Sequence, residues 1–166
     1  GKTYHYITME FVSGEPLSRL WDRKSPLPMP IATKLQREIL SGLRAAHDHD
    51  PPIIHRDVNG DNVLLSREDG EPQAKLADFG LAEVVDDASW SGGTAGRYGY
   101  FAHECFHGIY QPSSDVFAAG IVFYRMVTGM FPWKYDFSGS FDDPEKMETA
   151  VLRARKKDPV KPSVYN

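Results

Sequence analysis

His55-Arg56-Asp57-Val58-Asn59-Gly60-Asp61-Asn62-Val63-Leu64-Leu65, with Asp78-Phe79-Gly80 sixteen residues after Asn62, decides the reading of this 166-residue chain. The first string sets a carboxylate, Asp57, five residues ahead of an amide, Asn62, just before an apolar run. The second adds another carboxylate at the end of an extended stretch. Phosphoryl transfer requires such a set: one carboxylate to orient a hydroxyl, and an amide and a second carboxylate to hold magnesium against phosphates. Between the two signatures, Val63 to Leu65 is β-prone, Arg67-Glu68-Asp69-Gly70 has turn chemistry, and Ala74 to Ala77 resumes an extended pattern. This predicts a hairpin with Asn62 and Asp78 at neighbouring strand ends, where two oxygen ligands can share one ion.

In this order and spacing the signatures resemble those of the eukaryotic-type protein kinases. The resemblance implies an α+β fold, the kinase C-lobe, mainly α-helical with small β hairpins and without the N-lobe. It implies ATP and Mg2+ as cofactors and transfer to a hydroxyl of a protein substrate, with Ser/Thr favoured. Asp57 is then the catalytic carboxylate, Asn62 and Asp78 the metal ligands, and His55 packs on Phe79 to keep the Asp-Phe-Gly segment aligned. Tyr6 to Gly14 resembles the last small-lobe strand and hinge, with Met9 behind the adenine, backbone groups of Glu10 and Val12 on its edge, and Leu64 beneath it. Gly96-Arg97-Tyr98-Gly99-Tyr100-Phe101-Ala102-His103-Glu104 is similar to the segment that closes a kinase activation loop, which gives Glu104 a structural role. Asp115-Val116-Phe117-Ala118-Ala119-Gly120 is similar to the family's Asp-x-Trp-x-x-Gly, whose Asp accepts hydrogen bonds from the catalytic-loop backbone. Arg56 faces a phosphate or acidic group of the activation loop, for which Ser89, Ser91 and Thr94 are candidate phosphosites and Asp86 and Asp87 fixed alternatives.

Two departures from the family stand out. Asn59 replaces the catalytic-loop Lys and Arg97 the Thr of the substrate segment. The expectation is that the Arg97 guanidinium supplies the missing charge, and that Asn59→Lys partly rescues its loss. A pseudokinase or scaffold lobe is the alternative from another class, against which the retained Asp57, Asn62 and Asp78 argue.

Rival motifs overlap the same letters. Asp57, Asn59, Asp61 and Glu68 fit positions of an EF-hand loop, but Pro51-Pro52 and Pro72 deny it flanking helices and Asn62 stands where Gly is required. His103-Glu104-Cys105-Phe106-His107 matches the zinc-peptidase pattern, yet Gly99 and Gly108 crowd the helix it needs.

Around the signatures, Ile31, Leu35, Ile39, Leu40, Leu43 and Ala46 recur at helical spacing and predict a helix over 31–47. Ser113-Ser114-Asp115 supplies cap residues for a nearly all-apolar helix over 116–128, and Asp143-Pro144 opens a last helix whose Arg153, Arg155, Lys156 and Lys157 form a solvated end. A net charge of -4 argues against nucleic acid. The single Cys105 excludes an internal disulfide and suits a reducing, cytoplasmic location. No run of eighteen apolar residues suggests a membrane segment. The domain expectation is residues 1–14 as last N-lobe strand and hinge and 15–166 as C-lobe, cut before its final helices, so that the N-lobe is the missing partner.

Overall fold

The computed structural model describes residues 6, 8–24, 26–66, 70–79, 95–136 and 143–164. Ser89, Ser91, Thr94, Asp86, Asp87, Gly80 and the hairpin turn at 67–69 lie outside them.

Three antiparallel strands form one sheet in the order β1 (Gly14–Pro16), β2 (Val63–Ser66), β3 (Gln73–Leu76). The expected hairpin is β2–β3, with Val63 opposite Leu76 and Ser66 opposite Gln73. On β2 the alternation of side chains sends Val63 and Leu65 into the core and leaves Leu64 half-buried on the other face. Within the stretch expected as strand and hinge, Tyr6 to Gly14, the described residues 8–13 are irregular, and extended chain forms where Gly14 to Pro16 find a partner in β2. A Cβ on Gly14 would meet the Leu65 carbonyl oxygen at 1.7 Å, so glycine is what allows this close pairing.

A short helix, α1 (Leu17–Lys24), follows β1 directly and buries Leu17, Leu20 and Trp21 on one side. The long α2 (Met29–His47) begins two residues before the expected start, with Pro in its first turn. Its core-facing row is Ala32, Leu35, Ile39 and Leu43, whereas Ile31 and Leu40 stay exposed because they fall outside that stripe. α3 (Pro112–Thr128) starts four residues earlier than the composition suggested. Gln111 caps it in a reciprocal box with Ser114, and Gly129 ends it at φ 75°, a left-handed cap that glycine takes without Cβ strain. α4 (Pro144–Arg155) is capped by Asp143, whose carboxylate accepts the Glu145 and Lys146 N–H groups.

The main core lies between α1, α2, β2 and α3. A second cluster joins Met147 and Val151 of α4 to Tyr98, Phe101 and Cys105, and so fixes the segment ahead of α3 against the body. Among the described residues no helix is long and apolar enough to cross a membrane.

Candidate active site

The loop 55–62 is held from beneath by Asp115. This carboxylate, buried in the first turn of α3, accepts the His55 N–H at 2.8 Å and the Arg56 N–H at 2.9 Å, with His47 Nε2 2.8 Å from the same Oδ2. A buried carboxylate needs such donors, and helix capping falls to Gln111 and Ser114 instead. Arg56 takes φ 67°, which a side-chain residue adopts only when its surroundings hold it; here the bond to Asp115 does so. The Arg56 guanidinium lies over the Tyr110 ring, 5.5 Å from its centroid.

His55 is fully buried. Its Nε2–H donates to the Ala77 carbonyl at 3.1 Å, and its ring meets Phe79 at a centroid distance of 4.5 Å. The loop and the segment around Asp78 are therefore coupled, and the Ala77 N–H donates to the Asn62 carbonyl at 2.9 Å. Asp78 follows at φ 63°, exposed, so the backbone turns sharply as it leaves the hairpin.

Asp57 stands at the centre, 6% exposed. Its Oδ1 accepts Asn59 Nδ2 at 2.9 Å, and its Oδ2 accepts Asn62 Nδ2 at 2.7 Å and pairs with Arg97 Nη2 at 2.9 Å. A carboxylate offers about four acceptor positions. Three are used by described residues, which leaves room for one more donor such as a hydroxyl. Burial pushes the Asp57 carboxyl above its usual range, and Arg97, then Asn62, Asn59 and His55, pull the other way without overcoming it.

Asn59 is more than a neutral substitute for Lys. Buried, it donates to Asp57 and its own Oδ1 accepts the Asp61 N–H at 2.9 Å and the Asn62 N–H at 3.3 Å, so it ties the loop into one turn. A Lys at this position would forfeit both acceptor bonds.

Fitness for magnesium can be judged from the donors. Asn62 spends its amide hydrogens on the Asp57 carbonyl, at 2.9 Å, and on Asp57 Oδ2, which leaves its carbonyl oxygen available to a cation. Together with the exposed Asp78 carboxylate this is a hard-oxygen pair of the kind magnesium takes, with water and phosphate completing the shell.

The segment carrying Arg97 is clamped from two sides. Arg125 on α3 donates through Nη1 to the Tyr100 hydroxyl at 2.6 Å and stacks on Trp21 and Phe131, 4.3 and 4.4 Å from their centroids. Arg155 on α4 donates to the carbonyls of Phe101 at 2.6 Å and Gly99 at 3.0 Å, within a box of Phe117, Trp133 and Tyr135. The solvated-end expectation is thus wrong for Arg155, which bends back because the buried carbonyls of Gly99 and Phe101 need a donor. Arg125 was not singled out in the sequence, and Arg155 was placed at a solvated helix end. A lone guanidinium inside the otherwise apolar 116–128 run was the available signal for Arg125.

Glu104 accepts the Ser114 hydroxyl at 2.6 Å, a bond that lowers its carboxyl below the usual range. It is therefore tied to α3. His103 and His107 lie edge to face, 5.4 Å between centroids, in a 3₁₀ helix, where residues four apart do not share a face. Among the described residues no group of three or more His, Cys, Asp or Glu could hold a metal, and the zinc-peptidase reading finds no support. Of the expected adenine contacts, Met9 is 76% exposed, Val12 is half-buried, and Glu10 forms an ion pair with Lys75 on β3.

With Asp57, Asn62 and Asp78 gathered on one loop and hairpin, comparison with known proteins gives the class. The family described as the protein kinase domain matches residues 1–164, and the chain belongs to the protein kinases. It is 30% identical over 176 residues to a probable serine/threonine-protein kinase of Clostridium perfringens, covering 94% of this chain and 25% of that one. It is 36% identical over 134 residues to the serine/threonine-protein kinase PknL of Mycobacterium tuberculosis, covering 79% and 32%. To the probable serine/threonine-protein kinase WNK4 of Arabidopsis thaliana it is 33% identical over 131 residues, covering 79% and 22%. The chain therefore spans about a fifth to a third of the length of these relatives.

Proposed function

We propose that this chain is the large-lobe portion of a magnesium- and ATP-dependent protein kinase, residues 1–14 leading in from the hinge and 15–166 forming the lobe, and that it directs transfer to a Ser or Thr hydroxyl. The observation that carries the reading is Asp57: buried, fixed by Asn59, Asn62 and Arg97, and left with one acceptor position. An acceptor hydroxyl donating to that position is oriented for in-line attack on the terminal phosphoryl group, and orientation supplies much of the rate in this chemistry. The carbonyl of Asn62 and the carboxylate of Asp78 would hold magnesium, which when bound neutralises charge on the β- and γ-phosphates.

Arg97 serves two ends in this account. It holds Asp57 in place and brings positive charge to the side from which the phosphoryl group arrives, the charge that a Lys at position 59 would otherwise supply. Met9, Glu10, Val12 and Leu64 would border the adenine beneath a small lobe, and Arg56 would answer a negative charge at 86–94. A cytoplasmic setting fits the single Cys105.

The test is transfer of labelled γ-phosphoryl from ATP to Ser, Thr and Tyr peptides by a two-lobed kinase carrying this sequence. Magnesium-dependent labelling of Ser or Thr peptides is expected. Labelling of Tyr alone would overturn the substrate class, and no labelling at any magnesium concentration would overturn the function.

A further inference from the structure

A cleft of about 450 Å3 opens beside Asn59 and Arg97, the partners of Asp57, lined among others by Arg19, Trp21, Gly60, Asp61 and Arg125. Its three guanidiniums come from three elements: α1, the substrate segment and α3. Asp61 is the one carboxylate among the lining residues, and its Oδ1 already accepts the Ser18 hydroxyl. Arg97 is matched by Asp57. Arg19 is exposed, and among the described residues neither it nor Arg125 has a carboxylate partner. Arg125 instead rests on rings and a phenol, and its Nε is buried without an acceptor.

The cleft is therefore net positive and partly desolvated. A guanidinium clamped between aromatic rings has little rotamer freedom left to lose on meeting an anion, which raises the affinity such a contact gives. A basic side chain entering the same space would meet two uncompensated like charges. We infer that this cleft recognises an acidic side chain, a carboxylate or a phosphate ester, on the peptide that presents the acceptor hydroxyl. The inference rests on the kinase reading for the identity of the peptide, and on the cleft alone for the sign of its charge.

Equilibrium binding separates the two. Fluorescein-labelled peptides with one Ser in an Ala-rich background, and Asp, phosphoserine, Ala or Arg scanned through the flanking positions, are titrated with this chain and followed by anisotropy at low and high salt. No turnover is needed, so failure of the two-lobed kinase to transfer phosphate, with charge discrimination by this chain intact, would sink the kinase reading and leave the cleft assignment standing. At one or more flanking positions the acidic peptides are expected to bind about tenfold more tightly than the Ala and Arg peptides, an advantage that shrinks with salt. Phosphoserine stronger than Asp assigns the cleft to a phosphate ester; parity assigns it to a carboxylate. Arg19→Glu, an exposed change that does not disturb the core, should abolish most of the preference, as should Arg125→Gln if it folds. Equal binding of Asp and Arg peptides at every position, or a preference that survives Arg19→Glu intact, would overturn the inference.

Discussion

Removing the Arg97 guanidinium perturbs the site at its best-defined point. Arg97 Nη2 lies 2.9 Å from Asp57 Oδ2, and its side chain is 33% exposed while that of Asp57 is 6% exposed. A hydrogen bond to a charged group contributes about 1.5–3 kcal/mol when shielded. With a third of the guanidinium in water, screening reduces the stability loss in Arg97→Ala to about 1 kcal/mol. The rate should suffer far more, because a preorganised charge at the reacting centre is worth on the order of a hundred- to a thousandfold. Arg97 is also the largest of the influences that pull the Asp57 carboxyl down against its burial, so its loss lets that carboxyl rise further. Asp57 must be ionised to accept the hydroxyl proton, and the acid limb of the rate profile should move to higher pH. The assay is kcat/KM against pH in the two-lobed kinase, beside a thermal melt. Arg97→Lys should recover part of the rate. Asn59→Lys in the Arg97→Ala background should recover less than a charge count suggests, since it gives up the bonds to the Asp61 and Asn62 N–H groups. Wild-type kcat/KM in Arg97→Ala, with the acid limb unmoved, would refute this reasoning.

Other outcomes follow from the same geometry. Because the folded-state Asp57 carboxyl is raised, its ionised form costs stability as pH climbs from the ordinary carboxylate range through the raised value. The parent's melting temperature relative to Asp57→Asn should therefore fall as pH rises from the ordinary carboxylate range through the raised value; a difference that stays constant with pH contradicts it. Asp115→Ala removes the acceptor for the His55 and Arg56 N–H groups and should destabilise by about 3–5 kcal/mol in denaturant titration. Gly60→Ala would set a Cβ 2.1 Å from the Trp21 ring and should cost about 1–3 kcal/mol while displacing α1.

What the residues disclosed in advance depended on how local their signals were. The hairpin was legible because strand, turn and strand lie in one short window, and α4 because Asp143-Pro144 is a cap written in adjacent letters. α1 was not legible: its eight residues bury Leu17, Leu20 and Trp21 only because the sheet and α3 are already there to receive them. The start of α3 was misjudged because Ser113, Ser114 and Asp115 are all cap-type residues, and the tertiary structure gives the cap to Gln111 and turns Asp115 inward to the loop. The candidate site residues that stand in the signatures, Asp57, Asn62 and Asp78, were proposed from spacing. The arginines that shape the ground around them could not, since Arg125 and Arg155 form hydrogen bonds across 25 to 56 residues of sequence, which only packing creates.

The central claim is that Asp57 orients the acceptor hydroxyl and takes no part in holding the nucleotide. It is tested most directly by Asp57→Ala in the two-lobed kinase, with phosphopeptide formation and magnesium-ATP affinity measured on the same preparation. The account predicts loss of transfer with nucleotide affinity nearly unchanged. Transfer at the parental rate would contradict it.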